Sequence, residues 1–207
     1  MKIICIGKNY VEHIRELDHN SNIPSEPIFF MKPDTALLRN NEPFYLPDFS
    51  RDLQYETELV VRICRVGRAI EERFAHRYYE EVGLGIDFTA RDLQRECVAK
   101  GLPWEVCKSF DYSAALSPRF LPLAGLGGDV QRLHFDMELN GEPRQAGDTS
   151  KMIFTVDRIV SYVSHFVTLK MGDLIYTGTP VGVGRLSPGD RITASLEGER
   201  LLDIEIR

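Results

Sequence analysis

No stretch of this chain approaches the ~18 consecutive apolar residues of a membrane-spanning helix. Its opening, MKIICIG, lacks the charged, apolar and small-residue segments of a signal peptide. A cationic excess is missing too: 25 Lys and Arg stand against 31 Asp and Glu, a net charge of −6. That is the wrong sign for a general nucleic-acid binder, which carries a basic stripe. The four cysteines, Cys5, Cys64, Cys97 and Cys107, make no C-x-x-C pair, and none has a histidine at zinc-ligand spacing. Their apolar neighbours suit reduced core thiols of a cytoplasmic protein. No Gly-Lys-Ser/Thr ends the glycine-rich run from Gly178 to Gly184, and no helix pattern follows it, which excludes a nucleotide-binding P-loop. What remains is an acidic globular chain of 207 residues. At that length folding buries roughly 70% of the unfolded surface, and one domain over residues 1–207 is the expectation.

Strand patterns dominate what is there. Ile3 to Ile6 and residues 28–32 (IFFMK) read as buried strands. Leu53 to Val66 reads as a longer one, with Tyr55, Thr57, Leu59, Val61 and Ile63 on one face. Gly83 to Phe88 is a short strand, and Leu133, Phe135, Met137 and Leu139 alternate up to a strong hairpin turn at Asn140-Gly141. Leu174 to Tyr176, Arg191 to Leu196 and Leu201 to Ile206 close the chain as strands. Helical spacing marks Val156 to Val167, and a short helix is expected over Phe74 to Val82. A further helix, capped by Thr89 with Asp92 at the capping-box position, should run to a stop at Gly101. Val11, Ile14 and Leu17 outline a brief first helix, with Asn9 as its cap and Glu12 reaching back. The polar loop Asp18 to Pro27 follows it, so residues 8–27 read as a lid segment or as a loosely ordered connection. Strands outnumber helices and do not alternate with them regularly, so the fold class is α+β, strand-dominated, rather than doubly wound.

Glu56 and Glu58 are two apart in a strand and project from the same face. An isolated E-x-E is most often a solvated sheet edge, but Asp87 ends a nearby strand in a glycine-rich approach. Three carboxylates without cysteine or histidine make an all-oxygen site, suited to Mg²⁺, Mn²⁺ or Ca²⁺ rather than Zn²⁺. His13 and Glu16, three apart on a helix, share a face. The pair is either a surface contact or an imidazole oriented to draw a proton from water. Arg91 and Gln94 repeat that spacing after Asp87 and would flank a bound metal, the arginine suited to a substrate carboxylate. Lys108, near the one tryptophan, Trp104, has the bland alternative of a surface charge.

In order, GKNYVEHIREL, EPIFFMKP, YETELVV, GIDFTARDLQ, KGLPWEVCKSFD, LNGEPRQ, TSKMIF and GDLIYTGTPVGVG span nearly the whole chain. This series resembles the fumarylacetoacetate hydrolase family, and most of all its short, single-domain branch of acylpyruvate hydrolases and oxaloacetate decarboxylases. The resemblance implies a mixed β-sandwich roll with flanking helices, a homodimer, and one divalent cation per site. It places metal ligation on Glu56, Glu58 and Asp87, and a lid-borne catalytic pair on His13 and Glu16. Lys108 falls at a catalytic position, and Arg91, Gln94 and Thr179 at positions that line the substrate site.

The implied chemistry is metal-dependent hydrolysis of the carbon–carbon bond of a 3-acylpyruvate, such as acetylpyruvate or fumarylpyruvate, to pyruvate and a carboxylic acid. The cation would act as Lewis acid, the His13–Glu16 pair would activate water, and Lys108 would add charge where the enolate develops. Oxaloacetate decarboxylation or keto–enol tautomerisation needs the same enolate and no attacking water, so both stand as alternatives. A non-enzymatic metal scaffold is the remote one, since a structural ion needs neither the His13–Glu16 pair nor Lys108. The expected partner is a small dicarbonyl or keto acid, with no nucleic acid and no membrane.

Overall fold

The computed structural model describes residues 1–17 and 22–207. The first four residues of the expected polar loop, 18–21, lie outside that description. The strands are β1 (Ile3–Gly7), β2 (Ile28–Lys32), β3 (Leu37–Leu38), β4 (Leu53–Tyr55), β5 (Thr57–Ile63), β6 (Tyr79–Asp87), β7 (Thr89–Ala90), β8 (Ala114–Leu116), β9 (Leu121–Pro122), β10 (His134–Leu139), β11 (Glu142–Asp148), β12 (Leu174–Tyr176), β13 (Gly184–Arg185), β14 (Arg191–Leu196) and β15 (Glu199–Glu205). The α-helices are α1 (Val11–Leu17), α2 (Arg91–Lys100), α3 (Glu105–Lys108) and α4 (Val156–Phe166). Among the described residues the strands form three sheets. An eight-stranded sheet has the order β2-β1-β12-β5-β6-β8-β3 with β9 on β6, a four-stranded one runs β11-β10-β14-β15, and a three-stranded one β13-β4-β7. The fold is α+β and strand-dominated. No helix among the described residues is long and apolar enough to cross a membrane.

Alternation explains how the large sheet buries both faces. Ile4 and Ile6 join Leu59, Val61 and Ile63 in the main core. Ile3 and Cys5 point the other way, into a smaller cluster with Val60, Leu174 and Tyr176. The hairpin expected at Asn140-Gly141 is present between β10 and β11, with φ of +58° and +80°, the left-handed pair that a two-residue turn requires. α4 starts where Thr155 accepts a hydrogen bond from Arg158 N–H at 3.1 Å, and it buries Val156, Ile159, Val160 and Val163.

Four local expectations change. The helix expected over Phe74 to Val82 is a 3₁₀ turn over Glu72–Tyr78, after which β6 begins at Tyr79 and pairs with β5, β8 and β9. Two-sided sheet pairing there outweighs a local helical spacing. Thr89 does not cap α2: it lies in β7, and Asp92 accepts instead from Ser50 Oγ (2.7 Å) and Arg51 N–H (2.9 Å). Asn9 does not cap α1 either, because its side chain bonds the backbone of Phe154 and Thr177.

The long strand expected from Leu53 breaks at Glu56. β4 pairs with β7 and β13, while β5 enters the large sheet beside β6. β6 ends at Asp87, where Asp87 N–H donates to the Glu56 carbonyl at 2.8 Å. Both chain segments therefore cross from one sheet to another at the same place, and the carboxylates sit at that seam.

Candidate active site and metal centre

Register places the acids. Glu58 lies opposite Gly85 and Thr57 opposite Ile86, which brings Glu56 and Glu58 beside Asp87. One carboxylate oxygen from each lies within 4.8 Å of the others, and all three residues are buried. Gly85 leaves room for the Tyr176 ring behind this pair: a Cβ there would meet the ring at 2.3 Å.

Three cations surround the three acids. Lys108 Nζ donates to Glu56 Oε2 (2.8 Å), Asp87 Oδ2 (2.7 Å) and the Thr89 hydroxyl (2.6 Å), which engages all three of its protons. Arg91 donates to Glu56, to Gln94, and through Nε to Gln54 at 2.9 Å. Lys32 lies 2.8 Å from Asp87 Oδ1 and also donates to the Lys108 carbonyl and to Ser113. Among the described residues no cation pairs with Glu58; its Oε2 accepts the Gly178 N–H at 2.7 Å.

These partners set the protonation. Burial opposes ionisation of Glu56, but the Lys108 and Arg91 cations outweigh it and hold the carboxyl well below the usual range. Glu58 is pushed well up by burial and by the Asp87 and Glu56 charges. For Lys108, burial disfavours the ammonium, yet Asp87 and Glu56 more than compensate and keep it charged.

The same cavity, about 590 Å³, contains the pair from α1. His13 Nδ1 lies 3.1 Å from Glu16 Oε2, and Gly182 N–H donates to Glu16 Oε1 at 3.0 Å. Burial would raise the Glu16 carboxyl, but the bonds from His13 and Gly182 lower it overall. An ionised Glu16 only accepts, so Nδ1 carries a proton, and in the neutral imidazole it is Nε2 that has the free lone pair. Thr179 and Gln94 also line this cavity, as do Phe30 and Trp104, whose rings are 5.8 Å apart. All nine candidate residues thus converge on one cavity. A separate cavity of about 980 Å³, lined by Glu72, His76 and Asp157, contains none of them.

The donor set fits a hard divalent cation. It is all oxygen, no cation pairs with Glu58 among the described residues, and no aligned hydrogen bond reaches Asp87 Oδ1 despite the nearby Lys32 ammonium. Lys32, Gln54 and Gln145 went unnoticed in the sequence. Lys32 left one trace, a charge ending the otherwise apolar strand IFFMK.

A family model of the fumarylacetoacetate (FAA) hydrolase C-terminal domain matches residues 2–204. The mitochondrial oxaloacetate tautomerase of Rattus norvegicus is 44% identical over 196 residues, 95% of this chain and 87% of the relative. The oxaloacetate tautomerase of Escherichia coli is 40% identical over 200 residues, 97% of this chain and 90% of the relative. Among solved structures, fumarylpyruvate hydrolase from Pseudomonas aeruginosa in complex with Mn²⁺ and pyruvate superimposes with a TM-score of 0.90 at 32% identity, covering 100% of this chain and 89% of the other.

Proposed function

The chain belongs to the fumarylacetoacetate hydrolase family, and on that premise we propose that it is a divalent-metal-dependent enzyme of enolisable 2-oxo acids, hydrolysing 3-acylpyruvates to pyruvate and a carboxylic acid. The observation that carries this reading is the His13–Glu16 pair lining the same cavity as the three buried carboxylates. In it Glu56, Glu58 and Asp87 hold the cation, which when bound supplies Lewis acidity toward the ligand's oxygens. Mg²⁺ is the ion proposed, with Mn²⁺ and Ca²⁺ as oxygen-preferring substitutes. The proposed form is a cytoplasmic homodimer of single catalytic domains.

The chain's own groups then have separate tasks. Glu16 fixes the His13 tautomer, and His13 Nε2 takes the proton of the attacking water. Arg91 has five N–H donors and spends three of them on Glu56, Gln54 and Gln94. Two remain for a ligand carboxylate. The Lys108 protons are all engaged, so its charge acts on a developing enolate through space. Formally the buried acids and cations balance, three against three, and a bound divalent ion makes the cavity positive toward an anionic keto acid.

A second reading, oxaloacetate keto–enol tautomerase, is favoured by the names of the two relatives at 44% and 40% identity. There His13 Nε2 would take a carbon-bound proton instead of one from water. Turnover of acetylpyruvate, fumarylpyruvate and oxaloacetate, measured side by side with Mg²⁺ and Mn²⁺, separates the two. His13→Ala should lower the rate on the true substrate by roughly 10²–10⁴-fold while Mn²⁺ binding is retained. Wild-type rates in that variant would remove His13 from the mechanism.

A further inference from the structure

Two side chains complete the large sheet where a strand runs out, and in doing so they fix the polarity of a hydroxyl in the cavity. β12 ends at Tyr176, opposite Val60, and does not reach Thr57. The bond from Asp87 N–H to the Glu56 carbonyl turns the backbone groups of Glu56 toward β6, and hence those of Thr57 away from it. Thr57 is fully buried, and side chains meet its backbone groups instead. Its N–H donates to Gln145 Oε1 at 2.9 Å, and its carbonyl accepts the Thr179 hydroxyl at 2.9 Å. Gln145 Nε2 donates in turn to Thr179 Oγ1 (2.8 Å) and to the Pro180 carbonyl (2.9 Å).

Each direction in this set is forced. A backbone N–H only donates and a backbone carbonyl only accepts, so the Gln145 amide has one orientation and the Thr179 proton one destination. The hydroxyl has given its proton to Thr57 and taken one bond from Gln145; what it still has is a lone pair. Turning it to donate elsewhere would strip a buried carbonyl of its partner. Thr179 lines the cavity that holds the carboxylates, and it is buried, as is Gln145.

We propose that Gln145 is a positioning residue that holds Thr179 as a hydrogen-bond acceptor toward the ligand, so that the cavity favours an O–H beside the carboxylate over a keto oxygen. The ligand class is the enol tautomer of a 2-oxo acid, with 2-hydroxy acids as stable counterparts. An enol hydroxyl donates to the Thr179 lone pair; a keto oxygen, holding only lone pairs, cannot. A ligand carboxylate is left to the cationic groups, Arg91 first among them. This proposal rests on the keto-acid reading above and names the form of the ligand that its site prefers.

Pyruvate and lactate share a carboxylate and a carbon skeleton and differ in C=O against O–H at the second carbon, so they are the probes. Calorimetric titration of the Mn²⁺-loaded full-length protein with pyruvate and with each lactate enantiomer gives the wild-type ratio. Thr179→Val should weaken the tighter lactate by about fivefold, the size of one hydrogen bond, and leave pyruvate unchanged within about twofold. Thr179→Ser should restore the wild-type ratio. Gln145→Met, which removes the amide donor from the hydroxyl and leaves the Thr57 carbonyl alone to hold its proton, should narrow the preference while Mn²⁺ affinity is unchanged. Equal loss for pyruvate and lactate in Thr179→Val would overturn the polarity assignment alone, since the hydroxyl would then be donating. An unchanged ratio in Gln145→Met would remove Gln145 from the role. Should neither probe bind the wild-type protein, the keto-acid reading fails and this proposal with it.

Discussion

Gly85 shows how tightly a single position supports the site. It lies opposite Glu58, and an added Cβ would come within 2.3 Å of the Tyr176 ring and 2.8 Å of the Ala115 carbonyl. The ring has nowhere to go, being fully buried with its hydroxyl donating to that same carbonyl at 2.8 Å. Gly85→Ala should cost about 1–3 kcal/mol of stability in urea unfolding, the usual penalty of overpacking, and should weaken Mn²⁺ binding through Glu58. At this scale the sequence exposed some residues and hid others. Glu56, Glu58, His13 and Glu16 stood out because strand and helix periodicity put members of each pair on one face. Gln145 has no such spacing: its partner Thr57 is 88 positions away, and one glutamine in a strand pattern says nothing about a distant backbone.

Among elements, α2 starts at Arg91 with Ala90, not Thr89, before its first turn, and its position matters most, since it carries Arg91 and Gln94. Asp92, in its first turn, anchors it to Ser50 and Arg51 outside the helix. Burial would raise that carboxyl, but the Arg51 N–H, the Ser50 hydroxyl and the Leu93 N–H lower it overall. A carboxyl depressed in the folded state stabilises at pH values above its unfolded value, and the contribution disappears as pH falls through the folded one. Asp92→Asn should therefore destabilise by roughly 0.5–1 kcal/mol at pH 7, a net hydrogen-bond contribution kept small by solvent exposure. The gap between variant and wild type should close below about pH 4, and thermal unfolding at several pH values reads both effects. The hairpin at Asn140-Gly141, the α2 stop at Gly101 and the whole of α4 were legible because their signals are local. The break at Glu56 and the strand beginning at Tyr79 were not, because both depend on which strand lies alongside.

Over the whole molecule the net charge of −6 says little about the site, where three buried acids are matched by Lys32, Arg91 and Lys108. A cation bound there stabilises the folded state by mass action, about 2.7 kcal/mol at a concentration 100 times its Kd. Saturating Mn²⁺ should accordingly raise the Tm by roughly 5–10 °C for a chain of this size, and Glu58→Gln should abolish most of that shift in a thermal melt with and without chelator. The sequence by itself determined the strand-dominated class, the family resemblance and nine candidate residues for one site, because periodicity and short motifs act within a few residues. Only the tertiary structure decided that the long strand divides at Glu56, that Lys32 joins the charge balance, and that Gln145 and Thr179 finish the sheet at Thr57. Those are matters of which backbone groups remain unpaired after the strands assemble, and no local pattern encodes that.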